Sequence, residues 1–139
     1  TREHLMRAVY EGVAYNLKWI LENFKTDYGF ACQSFRIIGG GALDDAWMQI
    51  IADITNREFS IVDNPRNAGA LGSAIIALIG LGELSSFASA RDFVKITKTY
   101  TPNKKNAKIY NDLFNTYKRI YSDLEATYRF ANSKRFEGV

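Results

Sequence analysis

Three consecutive glycines, Gly39-Gly40-Gly41, separate the run Phe35-Arg36-Ile37-Ile38 from the helically spaced Trp47, Ile50, Ile51 and Ile54. β-branched and aromatic residues before the glycines favour an extended strand, and the hydrophobic period becomes helical after them. Glycine has no Cβ, so a ligand can come up to the backbone here. The amides of such a turn and of the helix start that follows carry partial positive charge and suit phosphate. No Gly-Lys-Ser/Thr follows and the Gly-x-Gly-x-x-Gly spacing is missing, so the stretch is neither a P-loop nor a dinucleotide fingerprint. Asp44 and Asp45 suit capping of the helix amides, or contact with the nucleoside end of a nucleotide, where phosphate would not repel them. Gln49, a neutral donor and acceptor one turn further on, suits a base or a local partner equally well. From the residues alone, a tight strand-to-helix connection and a nucleotide cradle remain equal alternatives.

Two flanking motifs bear on that choice. Upstream stands His4-Leu5-x-x-Ala8-Val9-Tyr10-Glu11, and downstream Asp63-Asn64-x-x-Asn67-Ala68-x-x-Leu71-Gly72-Ser73-Ala74. With Gly39-Gly40-Gly41-Ala42, Trp47, Gln49 and Ala52-Asp53 between them, the order and spacing resemble the FGGY carbohydrate kinases of the actin-like ATPase superfamily, over about residues 4–82. The resemblance implies ATP and Mg²⁺ as cofactors and transfer of phosphate to a sugar hydroxyl, with D-xylulose the expected sugar. Glycerol, gluconate or ribulose are the rivals within the family. It assigns the adenosine side to Gly39, Gly40, Gly41, Ala42, Asp45 and Gln49. It places Asp53 away from the cleft, holding helix to loop. The catalytic aspartate and sugar pocket match nothing here, so no catalytic and no metal-ligating residue is assigned. The first half of the upstream signature would precede Thr1, which makes a C-terminal fragment the expectation and a preceding N-terminal domain the expected partner. Two readings from other classes are a non-catalytic actin-like module and a helical interaction domain that binds no nucleotide.

The totals narrow the classes. A chain of 139 residues that is 47% apolar suits one globular domain with a real core. Cys32 is the only cysteine and His4 the only histidine, which excludes an internal disulfide framework, a His-based metal cluster and a Ser/His/Asp triad. No apolar run reaches membrane-spanning length, and no membrane partner is expected. A reducing, cytoplasmic setting fits best. Net charge is +3, but residues 104–139 alone carry +4, so the basic excess is a solvated helix face and no nucleic-acid partner is expected.

The elements that must position the glycine turn follow from the pattern. Leu5, Val9, Val13, Leu17, Ile20, Leu21 and Phe24 form an apolar face on a first helix running to about residue 25, with Thr1 as its cap and Arg7 and Glu11 as a pair. His4 and Glu11 are structural. Strands are expected at 34–39 and 58–62, and helices at 44–56 and 67–81. That order predicts α/β architecture, with parallel strands, right-handed crossovers and a ligand at the strands' carboxyl ends. The family likeness makes it the C-terminal half of an actin-like (ribonuclease H-like) ATPase domain. Gly69 and Gly72 cost about 1 kcal/mol each in a helix interior, so close approach of that helix to a neighbour is expected to offset them. Residues 83–103 read as an irregular linker, helical at 89–93 and extended over 94–100. A long C-terminal helix at 104–131 carries the heptad-like seam Tyr110, Phe114, Tyr117, Tyr121, Leu124 and Tyr128. The seam packs on its own domain or, as the alternative, forms a homodimer. The domain is expected to span 1–131, with 132–139 a frayed tail.

Overall fold

The computed structural model describes residues 1–133; of the tail expected to fray at 132–139, Asn132 still belongs to the C-terminal helix and 134–139 lie outside the described residues. The first helix, α1 (Arg2–Tyr28), is capped by the Thr1 hydroxyl, which accepts from the His4 amide, and Arg7 pairs with Glu11 at 2.8 Å. It runs three residues past the expected end. Gly29 closes it in the left-handed region, φ 66°, and returns its amide to the Lys25 carbonyl.

Strands β1 (Ser34–Ile37) and β2 (Glu58–Val62) pair in parallel, with Phe35 opposite Phe59 and their rings stacked 5.4 Å apart. Between them runs α2 (Asp45–Thr55), which is buried on almost every side: Met48, Ile50, Ile51, Ala52 and Ile54 all lie in the core. That helix packs on α1, on the sheet and on the C-terminal helix at once. The glycine turn therefore opens directly into the best-anchored element of the chain.

The sheet corrects one expectation. Within the stretch read as a linker, β3 (Ile96–Tyr100) pairs antiparallel with β2, so the three-stranded sheet is mixed and ordered β1-β2-β3. Hydroxyls hold this pairing alongside the backbone, since Thr99 meets Ser60 at 2.9 Å and Thr97 donates to the Ile61 carbonyl. Four of the five β3 residues are exposed, which left no alternation of apolar residues to mark it as a strand.

α1 is turned differently from its apolar stripe. Ala14, Tyr15 and Lys18 are buried, whereas Leu5, Val9, Val13, Ile20 and Phe24 are exposed. The inward side is chosen by aromatic packing on α4 (Ala107–Asn132), where the Tyr15 ring lies 6.2 Å from Phe114 and 5.5 Å from Tyr117. Lys18 joins it by donating to Asn111 at 2.6 Å and lying over the Phe114 ring. Burial pushes its ammonium pKa down. The α4 seam packs on its own domain through Tyr110, Phe114 and Tyr117, while Tyr121, Leu124 and Tyr128 stay largely exposed.

Helix α3 (Ala68–Gly80) corrects the close-approach expectation. Only Ile75 is buried, and a Cβ added at Gly69 or Gly72 would meet nothing within 4 Å. The helix stands off the sheet, leaving a cavity of about 210 Å³ bordered by Ile38, Val62, Leu71, Gly72 and Ile75. With open space and helical backbone at Gly72, Gly72→Ala is expected to stabilise this chain by about 0.5–1 kcal/mol. Thermal melting checks it, and a lowered melting temperature would show a contact the open space denies.

Candidate functional site

The glycine turn lies at the carboxyl end of β1, beside the connection that leaves the carboxyl end of β2. Each of its three glycines has a different structural situation. Gly39 has φ 97°, a backbone conformation L side chains rarely adopt, and its amide donates to the Pro65 carbonyl at 2.7 Å. Gly41 is glycine for packing: an ideal Cβ there would fall 2.5 Å from the Trp47 ring. That ring is fixed by stacking on Tyr10, centroids 5.2 Å apart. Gly40 has neither reason. Its φ is not positive, it is exposed, and a Cβ would meet only Arg66 Nε, at 3.9 Å.

Residues Gly40–Leu43 form a single 3₁₀ turn. Within it the Ala42 amide donates to Gly39 and the Asp44 amide to Gly41, while Ala42 itself is buried. No acceptor among the described residues takes the amides of Gly40 or Gly41. Two donors and open space thus meet at one rim of the sheet, which is what an anion or a polar ligand edge needs.

Both aspartates that follow are engaged. Asp44 caps α2 by accepting from the Trp47 amide at 3.0 Å, and it also accepts from the Tyr10 hydroxyl at 2.7 Å. The Trp47 amide first, and then the Tyr10 hydroxyl, hold its carboxyl below the usual range. A depressed carboxyl contributes stability above its unfolded pKa and loses it as pH falls through the folded one. Asp44→Ala should therefore speed hydrogen exchange of the first-turn α2 amides about fivefold at neutral pH, the loss of a typical cap. The difference should shrink as pH falls through the folded-state pKa of Asp44; an equal effect at every pH would remove the carboxylate from the explanation.

Asp45 points to β3, where Lys98 Nζ lies 2.8 Å from its carboxylate and the Tyr100 hydroxyl donates to it. Lys98 first, then Tyr100, lower its pKa. Gln49 donates its amide to Asp53 at 2.7 Å and to the Thr101 carbonyl at 2.9 Å. Asp53 accepts in addition from the Asn103 amide and from Asn106, each at 2.8 Å, so it ties α2 to the loop before α4. Glu11 likewise joins Arg7 and the Tyr110 hydroxyl and holds α1 to α4. The structure thus brings Gly39, Gly40 and Gly41 to the rim together and directs Asp45 and Gln49 to the β3 and α4 side. Sequence reasoning passed over Arg66. Its available signal was a cation directly after Pro65, where the second strand's carboxyl end turns.

The chain matches the model of the FGGY family of carbohydrate kinases, C-terminal domain, over residues 1–81. That is more than half of its length. The chain belongs to this family. It is 34% identical over 122 residues to a xylulose kinase of Bacillus subtilis, covering 87% of the chain and 24% of that protein. A gluconokinase of Bacillus licheniformis is 30% identical over 96% of the chain and 26% of its own length. The crystal structure of xylulose kinase from Rhodospirillum rubrum superposes with a TM-score of 0.79 and 30% identity, over 93% of the chain and 26% of that structure. The chain thus spans about a quarter of the length of the relatives it matches. Its α/β fold, with the small mixed sheet and long C-terminal helix, is that of the actin-like FGGY kinases.

Proposed function

We propose that the protein carrying this chain transfers the γ-phosphate of Mg²⁺-bound ATP to a sugar hydroxyl, D-xylulose first among the sugars, to give xylulose 5-phosphate. The observation that carries the reading is Gly40. It is a glycine that neither backbone strain nor packing demands, with an unpaired amide, at the carboxyl end of a parallel strand pair in a chain of the FGGY family. In open sheets of this kind ligands sit at the strands' carboxyl ends.

Phosphoryl transfer needs positioning and charge stabilisation more than covalent chemistry from the protein. This chain supplies the adenosine side and part of the phosphate cradle through the Gly39-Gly40-Gly41-Ala42 turn, in which the Gly40 and Gly41 amides are free for a ligand while those of Gly39 and Ala42 hold the turn itself. Asp45 and Gln49 serve the nucleoside end only by giving up Lys98 and Asp53. The base that deprotonates the sugar hydroxyl and the sugar pocket belong to the preceding N-terminal domain. The setting is cytoplasmic; no helix among the described residues is long and apolar enough to cross a membrane. A homodimer, where one forms, uses the exposed outer half of α4.

The test is coupled ADP release by the full-length protein with D-xylulose, ribulose, gluconate and glycerol. Turnover that depends on D-xylulose supports the reading, and turnover with gluconate or glycerol alone moves the protein to another branch of the family. Inertness towards every sugar, with ATP still bound, makes it a non-catalytic nucleotide-binding module.

A further inference from the structure

We propose that Arg66 is a phosphate-binding residue of the nucleotide site, an inference that rests on the nucleotide reading above. Arg66 stands in the 3₁₀ turn Pro65–Asn67 that leaves β2, and Gly39 is hydrogen-bonded to Pro65 of that same turn. The two connections are therefore fixed to each other, and the Arg66 side chain passes 3.9 Å from the place where a Gly40 Cβ would be. The residue is exposed, and no carboxylate or other acceptor among the described residues engages its guanidinium. Arg36, on β1, borders the cavity under α3 instead, and Lys98 is held by Asp45. Arg66 is thus a cation without a partner among the described residues, beside Gly40 in a turn whose Gly40 and Gly41 amides also have none. Free amides on one loop and a free guanidinium on the neighbouring one suit the oxygens of a phosphate better than any neutral group. Of the nearby carboxylates, Asp45 is paired with Lys98, and Asp44 is turned to the Trp47 amide and the Tyr10 hydroxyl, so neither engages Arg66.

The experiment measures binding of ATP, ADP and adenosine to the full-length protein by calorimetry, for wild type, Arg66→Gln, Arg66→Lys and Gly40→Val. Arg66→Gln should weaken ATP and ADP about tenfold, the size of one lost charge-assisted contact, and leave adenosine unchanged. It should also flatten the salt dependence of ATP binding, since exposed charge attraction is screened by salt. Arg66→Lys should recover part of the loss. Equal weakening of adenosine and ATP would overturn the proposal, because the side chain would then serve the nucleoside. Unchanged ATP affinity in Arg66→Gln, with Gly40→Val still defective, would remove Arg66 and keep the site. Wild-type ATP affinity in Gly40→Val would remove the site itself, and Arg66 with it.

Discussion

Gly40→Val in the full-length protein is expected to raise the apparent KM for ATP at least tenfold, or to abolish turnover, while leaving the protein folded. The backbone at Gly40 is not in the left-handed region, and the only atom near its absent Cβ is the end of a flexible arginine. A valine side chain is therefore accommodated locally and fills the space a ligand must enter. Losing close backbone approach and the two amide contacts removes at least about 1.4 kcal/mol, one decade of affinity. The neighbouring glycines supply the contrast. Gly41→Val must push the Trp47 ring off Tyr10, and Gly39→Val must adopt a strained backbone, so both should lower the melting temperature as well. A correctly folded Gly40→Val enzyme with an unchanged KM for ATP would sink the assignment.

The three glycines also show how far sequence reaches. Their number and place, between an extended apolar run and a helical one, located the rim of the sheet and the start of α2. The reason for each glycine depended on Trp47, Tyr10 and Pro65, which only the folded chain brings together. Local pattern likewise sufficed for β1, β2 and α2, where Phe59, Ile61, Met48 and Ile54 are buried at the spacing their elements impose. It found β3 as an extended stretch but not as a strand of the sheet, because Thr97, Lys98 and Thr99 face solvent and the partner strand lies about forty residues earlier. On α1 the most apolar stripe was not the one packed within the chain. A stripe marks a face to be covered without naming its cover, and Lys18 disguised the buried side as polar. Asp45 and Gln49 had plausible ligand roles as isolated residues. Apart from Asp53, one turn from Gln49 on the same helix, their partners Lys98, Tyr100 and Thr101 lie some fifty residues on, beyond the reach of any local motif.

The chain of 139 residues, taken by itself, is expected to be catalytically silent and to bind ATP only weakly. Its glycine turn and Arg66 present one rim, exposed to solvent, and the chain spans about a quarter of the relatives it matches. Tight nucleotide binding needs a concave site that covers most of the ligand, and phosphoryl transfer needs a closed cleft that excludes water. Removing one wall of a two-walled site should cost several decades of affinity, each about 1.4 kcal/mol. The exposed Leu5, Val9 and Val13 on α1 add a second expectation, since uncovered apolar surface of this kind promotes self-association of the isolated chain. Calorimetric ATP titration and coupled ADP release, run in parallel on the chain and on the full-length protein, make the comparison. Full-length protein that binds ATP at least a hundredfold more tightly and alone turns over D-xylulose is the expected result. Sugar-dependent turnover by the isolated chain would mean that the base and the second set of phosphate ligands lie within these residues, and the division of the site proposed here would be wrong.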